Sequence, residues 1–287
     1  MRLFRFGPPG QERPGAFDRD GVRRDISSLI ADLRGEWLHP GALARLSSLD
    51  LTSLPQVSDG ERLGPCVAAV GHFLAVGLNF ANHAAESHME APKEPIIFTK
   101  APSCLSGPDD RIVLPPGSEK TDWEVELAVV IGKDAAYIDE EAARDVIAGY
   151  CICNDVSERA YQLERGGGQW VKGKGCPTFG PLGPWLVTPD EIEDVQSLSM
   201  WLDVNGVRMQ NGSTSQMIFG VHQLIAHISQ FMNLRAGDVI CTGTPEGVGL
   251  GMKPPRYLKE GDEVQLGIEG LGCQRQLVVA HRGPAGR

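Results

Sequence analysis

The sequence predicts an α+β fold rich in β-structure, on three observations. Apolar runs of strand length, bounded by glycine, proline and asparagine, recur from about residue 67 onward. Only a few stretches show the 3.6-residue periodicity of a helix, and they do not alternate regularly with strands as a parallel βα sheet would require. No internal repeat or low-complexity segment is visible.

Taken in order, residues 3–6 form a short strand, Asp20-Gly21 a turn, and 27–33 a short helix capped by Asp25. A second short helix lies near 42–46, and 53–64 is a loop. Nothing here suggests chemistry, and the chain is expected to divide into a small N-terminal α/β domain over 1–70 and a larger domain over 71–287 that carries the candidate chemistry. The run 127–131 reads as a buried strand and 150–153 as another. Asp139, followed by Glu140 and Glu141, opens a helix that Gly149 ends. Asn205-Gly206, between apolar 201–204 and 207–209, is a strong hairpin signal. Val221, Leu224, Ile225, Ile228, Phe231 and Met232 trace one helical face. Residues 239–241, 264–268 and 274–279 are further strands.

The 287 residues suffice for one large domain, or one large and one small. Hydrophobic content of 41% and charged content of 22% are those of an ordinary soluble globular protein. The net charge of −10 argues against nonspecific nucleic-acid binding and against an anionic membrane surface, because both select basic patches. The start M-R-L-F-R-F-G-P-P-G lacks an apolar signal region, and no segment approaches the ~20 apolar residues that cross a bilayer, so a cytoplasmic location is expected. Seven cysteines form no C-x-x-C pair and lie partly in apolar runs, as reduced, buried residues do; zinc is not expected.

Three acidic residues beside apolar runs carry the chemical signal. Glu124 and Glu126 in T-D-W-E-V-E-L are two apart, so on a strand they point to one face. Asp155 in C-N-D-V-S-E-R follows the second strand. Three ionised carboxylates packed together would repel or protonate, and a hard divalent ion, Mg²⁺ or Mn²⁺, removes that conflict. A lone Glu-x-Glu is more often a solvated strand face. In G-L-N-F-A-N-H-A-A-E, His83 and Glu86 are three apart, one face of a helix, and a carboxylate partner makes an imidazole a better base. Taken singly, such a pair is more often a surface contact.

Two glycine-rich stretches need testing. From Gly168 the chain reads G-x-x-x-x-G-K-G, with Gly175 where a phosphate loop needs Ser or Thr, and no apolar strand precedes it. Nucleoside triphosphate binding is therefore rejected in favour of a loop that brings a lysine to a substrate. The turn Thr242-Gly243-Thr244-Pro245-Glu246-Gly247-Val248-Gly249 could hold a carboxylate through hydroxyls and backbone N–H groups, or simply end a strand.

Together, and in this order, G-L-N-F-A-N-H-A-A-E, P-I-I-F-T-K, D-W-E-V-E-L-A-V-V-I-G, N-D-V-S-E-R, K-G-K-G-C-P-T-F-G-P-L-G-P-W, T-G-T-P-E-G-V-G and G-D-E-V-Q-L-G-I-E-G-L-G resemble the fumarylacetoacetate hydrolase family over residues 75–275. The resemblance implies a β-rich roll flanked by helices, with Glu124, Glu126 and Asp155 binding Mg²⁺ or Mn²⁺. It makes His83 and Glu86 a water-activating dyad and Lys174 a group that polarises the substrate. Arg159, Gln162 and Thr244 match positions around the oxo-acid end of a small-molecule substrate. A homodimer is implied, with a homotetramer as the alternative.

The longer stretch 157–176 is similar to a branch that includes hydrolases of 2,4-diketo-3-deoxy-L-rhamnonate and L-fuconate and members labelled ureidoglycolate lyase. Asn82 departs from the usual Asp before the His, and Val171 from the Asp that this branch often has before Lys172. The expected reaction is hydrolysis of the C3–C4 bond of a 2,4-dioxo acid, with a 2,4-diketo-3-deoxy sugar acid as the expected substrate, to give pyruvate and a second acid. The alternatives are an acylpyruvate hydrolase or oxaloacetate decarboxylase, a ureidoglycolate lyase, and a metal-dependent oxo-acid binding protein without turnover.

Overall fold

The computed structural model describes residues 1–86 and 89–283. Seventeen strands follow one another as β1 (Arg2–Phe6), β2 (Arg13–Phe17), β3 (Arg23–Asp25), β4 (Phe73–Gly77), β5 (Ile96–Lys100) and β6 (Leu105–Ser106). Next come β7 (Ile112–Leu114), β8 (Thr121–Asp122), β9 (Val125–Ile131), β10 (Ile147–Asn154), β11 (Ser157–Glu158) and β12 (Gly180–Val187). The last are β13 (Ser199–Val204), β14 (Val207–Ser213), β15 (Val239–Cys241), β16 (Glu263–Ile268) and β17 (Gly272–Ala280). The helices are α1 (Pro40–Ser47), α2 (Ala81–Glu86), α3 (Glu140–Ala143), α4 (Val171–Lys174) and α5 (Val221–Ser229).

The mixed, β-rich architecture is the one the sequence predicts. A ten-stranded sheet runs β3-β2-β1-β12-β10-β9-β15-β4-β5, with β6 beside β12, and a five-stranded sheet runs β14-β13-β16-β17-β7. Every residue of β9 and β10 is buried, which is why these strands read as continuous apolar runs instead of alternating ones. The expected division near residue 70 is crossed by the sheet, since β1 pairs with β12 through Leu3 and Leu186. Among the described residues no helix is long and apolar enough to cross a membrane.

Asn205 and Gly206 both have positive φ, at 53° and 73°, and close the β13–β14 hairpin as a primed turn. Three local expectations need correction. Residues 27–33 are turns and bends, not a helix. Asp25 does accept the Ser27 N–H, but Asp32 bonds the Leu33 N–H and pairs with Arg5, which competes with helix propagation.

The helix opened by Asp139 is short. Asp139 caps it by accepting from the Ala142 N–H, yet α3 ends at Ala143 and Gly149 lies inside β10. A Cβ at Gly149 would sit 2.4 Å from the Val187 carbonyl oxygen, so this glycine serves close strand approach and not a helix end. Finally, α5 stops at Ser229, and Phe231 is 65% exposed beyond it, while Val221, Leu224, Ile225 and Ile228 are buried as the periodicity requires. Of the cysteines, five are buried, Cys176 is half-buried and Cys273 is exposed.

Candidate active site

The sheet itself gathers the acidic residues. β9 and β10 are antiparallel with Glu126 opposite Cys153, so the start of one strand lies beside the end of the other. Glu126 stands in β9, Glu124 just before it and Asp155 just after β10. The Asp155 N–H donates to the Glu124 carbonyl at 2.9 Å, which fixes the two segments together. All three side chains are buried, and one oxygen from each lies within 4.8 Å of the others.

Neighbouring strands deliver the rest to the same end. β15 is antiparallel to β9, so the Thr242–Thr244 turn follows at this edge, where the Gly243 N–H donates to Glu126 Oε2 at 2.8 Å. β4 is parallel to β15 and leads into α2. Buried Asn79 fastens that connection: its amide N–H groups donate to the Phe219 and Thr242 carbonyls, and its oxygen accepts from the Phe219 N–H.

On α2, His83 Nδ1 lies 2.9 Å from Glu86 Oε1, and both Glu86 oxygens accept from the Gly247 N–H. Glu86 thus holds the ring from behind. Asn82, the departure from the family's usual Asp, donates to Glu246 Oε1 at 3.2 Å. An Asp there would face Glu246 as a like charge, and the amide instead bonds to it.

Lys174, at the end of α4, extends its ammonium between Glu124 and Asp155 at 2.6 and 2.8 Å. Arg159 donates through Nε to Asp122 and through Nη1 to Gln162, from a wide π-helical turn over Ala160–Glu164. Its Nη2 is 2.8 Å from both Asp122 and Glu124 without an aligned hydrogen bond to either. Thr244 donates to the Val125 carbonyl and accepts from Gln210, so its hydroxyl is held by the protein.

One open cleft brings His83, Glu124, Glu126, Arg159, Gln162, Lys174 and Thr244 onto one surface. Glu86 stands behind His83 and Asp155 beneath Lys174. Val171, by contrast, is 40% exposed at the start of α4.

The electrostatics distinguish the carboxylates. Burial would raise Glu124, but Lys174, Arg159 and His83 pull it well below the usual carboxylate range. Glu126 accepts the Gly243 N–H, and burial with the charges of Asp155 and Glu124 pushes it well above, against the pull of Lys174. Among the described residues Glu126 has no ion pair of its own, and a buried carboxylate so placed beside two others is a donor set that fits a hard divalent ion.

Lys100 and Asp122 were given no role by the sequence. Lys100, fully buried, donates to Asp155 Oδ1 at 2.6 Å and to the Lys174 carbonyl at 2.5 Å. Asp122 accepts from Arg159 and from the Gly249 and Leu250 N–H groups. Asp122 continues the two-residue spacing of Glu124 and Glu126, a signal that was present in T-D-W-E-V-E.

Comparison with known proteins places this arrangement. The family described as fumarylacetoacetate (FAA) hydrolase C-terminal matches residues 72–279. A Burkholderia multivorans protein, named no more closely than as a hydrolase, is 58% identical over 98% of this chain and 100% of its own length. Among solved structures, fumarylacetoacetate hydrolase from Exiguobacterium antarcticum is similar at TM-score 0.86 and 36% identity, over 98% of this chain and all of that one. The 2-hydroxyhepta-2,4-diene-1,7-dioate isomerase of Mycobacterium marinum is similar at TM-score 0.76 and 32% identity, over 98% of each chain. Maleylpyruvate hydrolase from Sphingobium sp. SYK-6, in complex with manganese(II) and pyruvate, is similar at TM-score 0.80 and 29% identity, over 98% of this chain and all of that one. With the family matched across most of the sequence and relatives aligned nearly end to end, the chain belongs to the fumarylacetoacetate hydrolase family, whose members are hydrolases and isomerases.

Proposed function

We propose that this protein hydrolyses the C3–C4 bond of a 2,4-dioxo acid, giving pyruvate and a second carboxylic acid. The observation that carries the reading is the His83–Glu86 pair, whose imidazole lines the same cleft as Glu124 and Glu126. Glu86 at Nδ1 assigns the ring proton to that nitrogen and leaves Nε2 as the base. His83 takes a proton from water, and the hydroxide adds to the C4 carbonyl. When the adduct collapses, the C3–C4 electron pair leaves as the enolate of pyruvate, and Lys174 faces the developing charge. Proton return to C3 completes pyruvate.

Glu124, Glu126 and Asp155 would hold Mg²⁺ or Mn²⁺, which supplies Lewis-acid neutralisation of the oxo-acid oxygens. The manganese and pyruvate of the Sphingobium hydrolase support that ion and that product. We read the working form as a cytoplasmic homodimer.

The isomerase neighbour favours one second reading, a proton transfer without attack by water. A pyruvate-coupled assay over a set of 2,4-dioxo acids with Mn²⁺ separates them. Pyruvate and the second acid in equal amounts support hydrolysis; a changed absorption spectrum with no pyruvate supports isomerisation.

A further inference from the structure

The cleft is chemically mixed. Its charged groups share it with Phe98, Trp170, Leu163, Met89 and Leu250. Contacts link the aromatic pair to the charged end: the Phe98 ring centre is 5.2 Å from Lys174 Nζ, and Trp170 meets Phe98 edge-on at 5.1 Å. Gly77 makes the seat for the indole, since a Cβ there would lie 2.5 Å from Trp170 Cζ3. Met89 and Leu163 are each 40% exposed, large apolar side chains left on the rim of a cleft. Of these five side chains none is charged, a hydroxyl or an amide, and the Trp170 indole N–H is their one polar hydrogen-bonding group.

We propose that the substrate group beyond C4 is an unbranched alkyl or aryl chain, and that Trp170 and Phe98 set this specificity. The proposal rests on the dioxo-acid reading. A polyhydroxylated tail, as in the sugar acids, would lose water from its hydroxyls against this wall without regaining hydrogen bonds. None of these five described side chains offers a carboxylate tail a cation. An apolar tail covers the exposed rim and gains with each methylene buried.

The test is a homologous series of 2,4-dioxo acids from methyl to pentyl beyond C4, with phenyl, sugar-acid and carboxylate tails, followed by pyruvate release. The expected result is a three- to fourfold rise in kcat/KM per added methylene, up to the length of the wall. Trp170→Ala should flatten the slope below twofold per methylene, while Trp170→Phe keeps most of it at an unchanged melting temperature. A flat series in the parent enzyme, or a sugar acid or dicarboxylate as the best substrate, overturns the proposal. If no dioxo acid yields pyruvate, the hydrolytic reading fails by itself. Calorimetric binding of 2-oxobutanoate through 2-oxooctanoate then decides the tail: affinity rising with length and lost in Trp170→Ala supports it, and length-independent affinity refutes it.

Discussion

Lys100 Nζ donates to Asp155 Oδ1 across 2.6 Å with both side chains fully buried. The same ammonium bonds the Lys174 carbonyl, so one residue orients a candidate metal ligand and the backbone of the substrate-facing lysine. Lys100→Met should cost about 1–3 kcal/mol, because Asp155 keeps Lys174 at Oδ2 while Asp155 Oδ1 and the Lys174 carbonyl lose their buried donor. Mn²⁺ affinity should fall roughly 10–100-fold, as when a group orienting a ligand is lost. Urea denaturation and calorimetric Mn²⁺ titration measure the two effects, and values matching the parent protein would remove Lys100 from the site.

His83→Ala should lower kcat by roughly 10²–10⁴ while Mn²⁺ affinity stays within about twofold. The two readouts separate base from ligand. Loss of the ion in this variant would reassign His83 to metal binding.

Glu126 sets a pH dependence. Its carboxyl is raised well above its ordinary value of 4.5, first by burial and then by Asp155 and Glu124. Such a group binds its proton more tightly in the folded protein, so its stabilising contribution is complete below 4.5 and is lost as pH rises toward the folded value. Chelator-treated protein should therefore lose melting temperature as pH climbs from 4.5, and Glu126→Gln should lose less. Melting curves with and without saturating Mn²⁺ check this, since the ion should abolish the advantage of the variant.

Asn79→Ala should destabilise by about 1–3 kcal/mol, because the buried Phe219 N–H and the Thr242 carbonyl lose their partner. The connection from β4 to α2 carries His83, so kcat should fall as well. Unchanged kcat at lower stability would limit Asn79 to the fold.

The sequence was most readable where local pattern and tertiary pairing agree. Glu124 and Glu126 are legible because a strand presents alternate residues together, and Asp155 because it ends the next apolar run. Asn205-Gly206 is legible because its turn needs positive φ at both residues. Lys100 is not, since a lysine ending an exposed-edge pattern looks solvated until the Asp155 carboxylate is folded over it. The helix expected to run from Asp139 to Gly149 fails because sheet pairing of β10 overrides a good cap. The apolar wall of the cleft is equally hidden, as Phe98, Trp170 and Leu250 come from segments far apart in the chain.

The most direct test of the acidic centre is anomalous diffraction at the manganese edge from crystals soaked in Mn²⁺. One peak bounded by oxygens of Glu124, Glu126 and Asp155, opening on the cleft that holds His83, is the predicted result. No peak at saturating Mn²⁺, or a peak held by other residues, would contradict it.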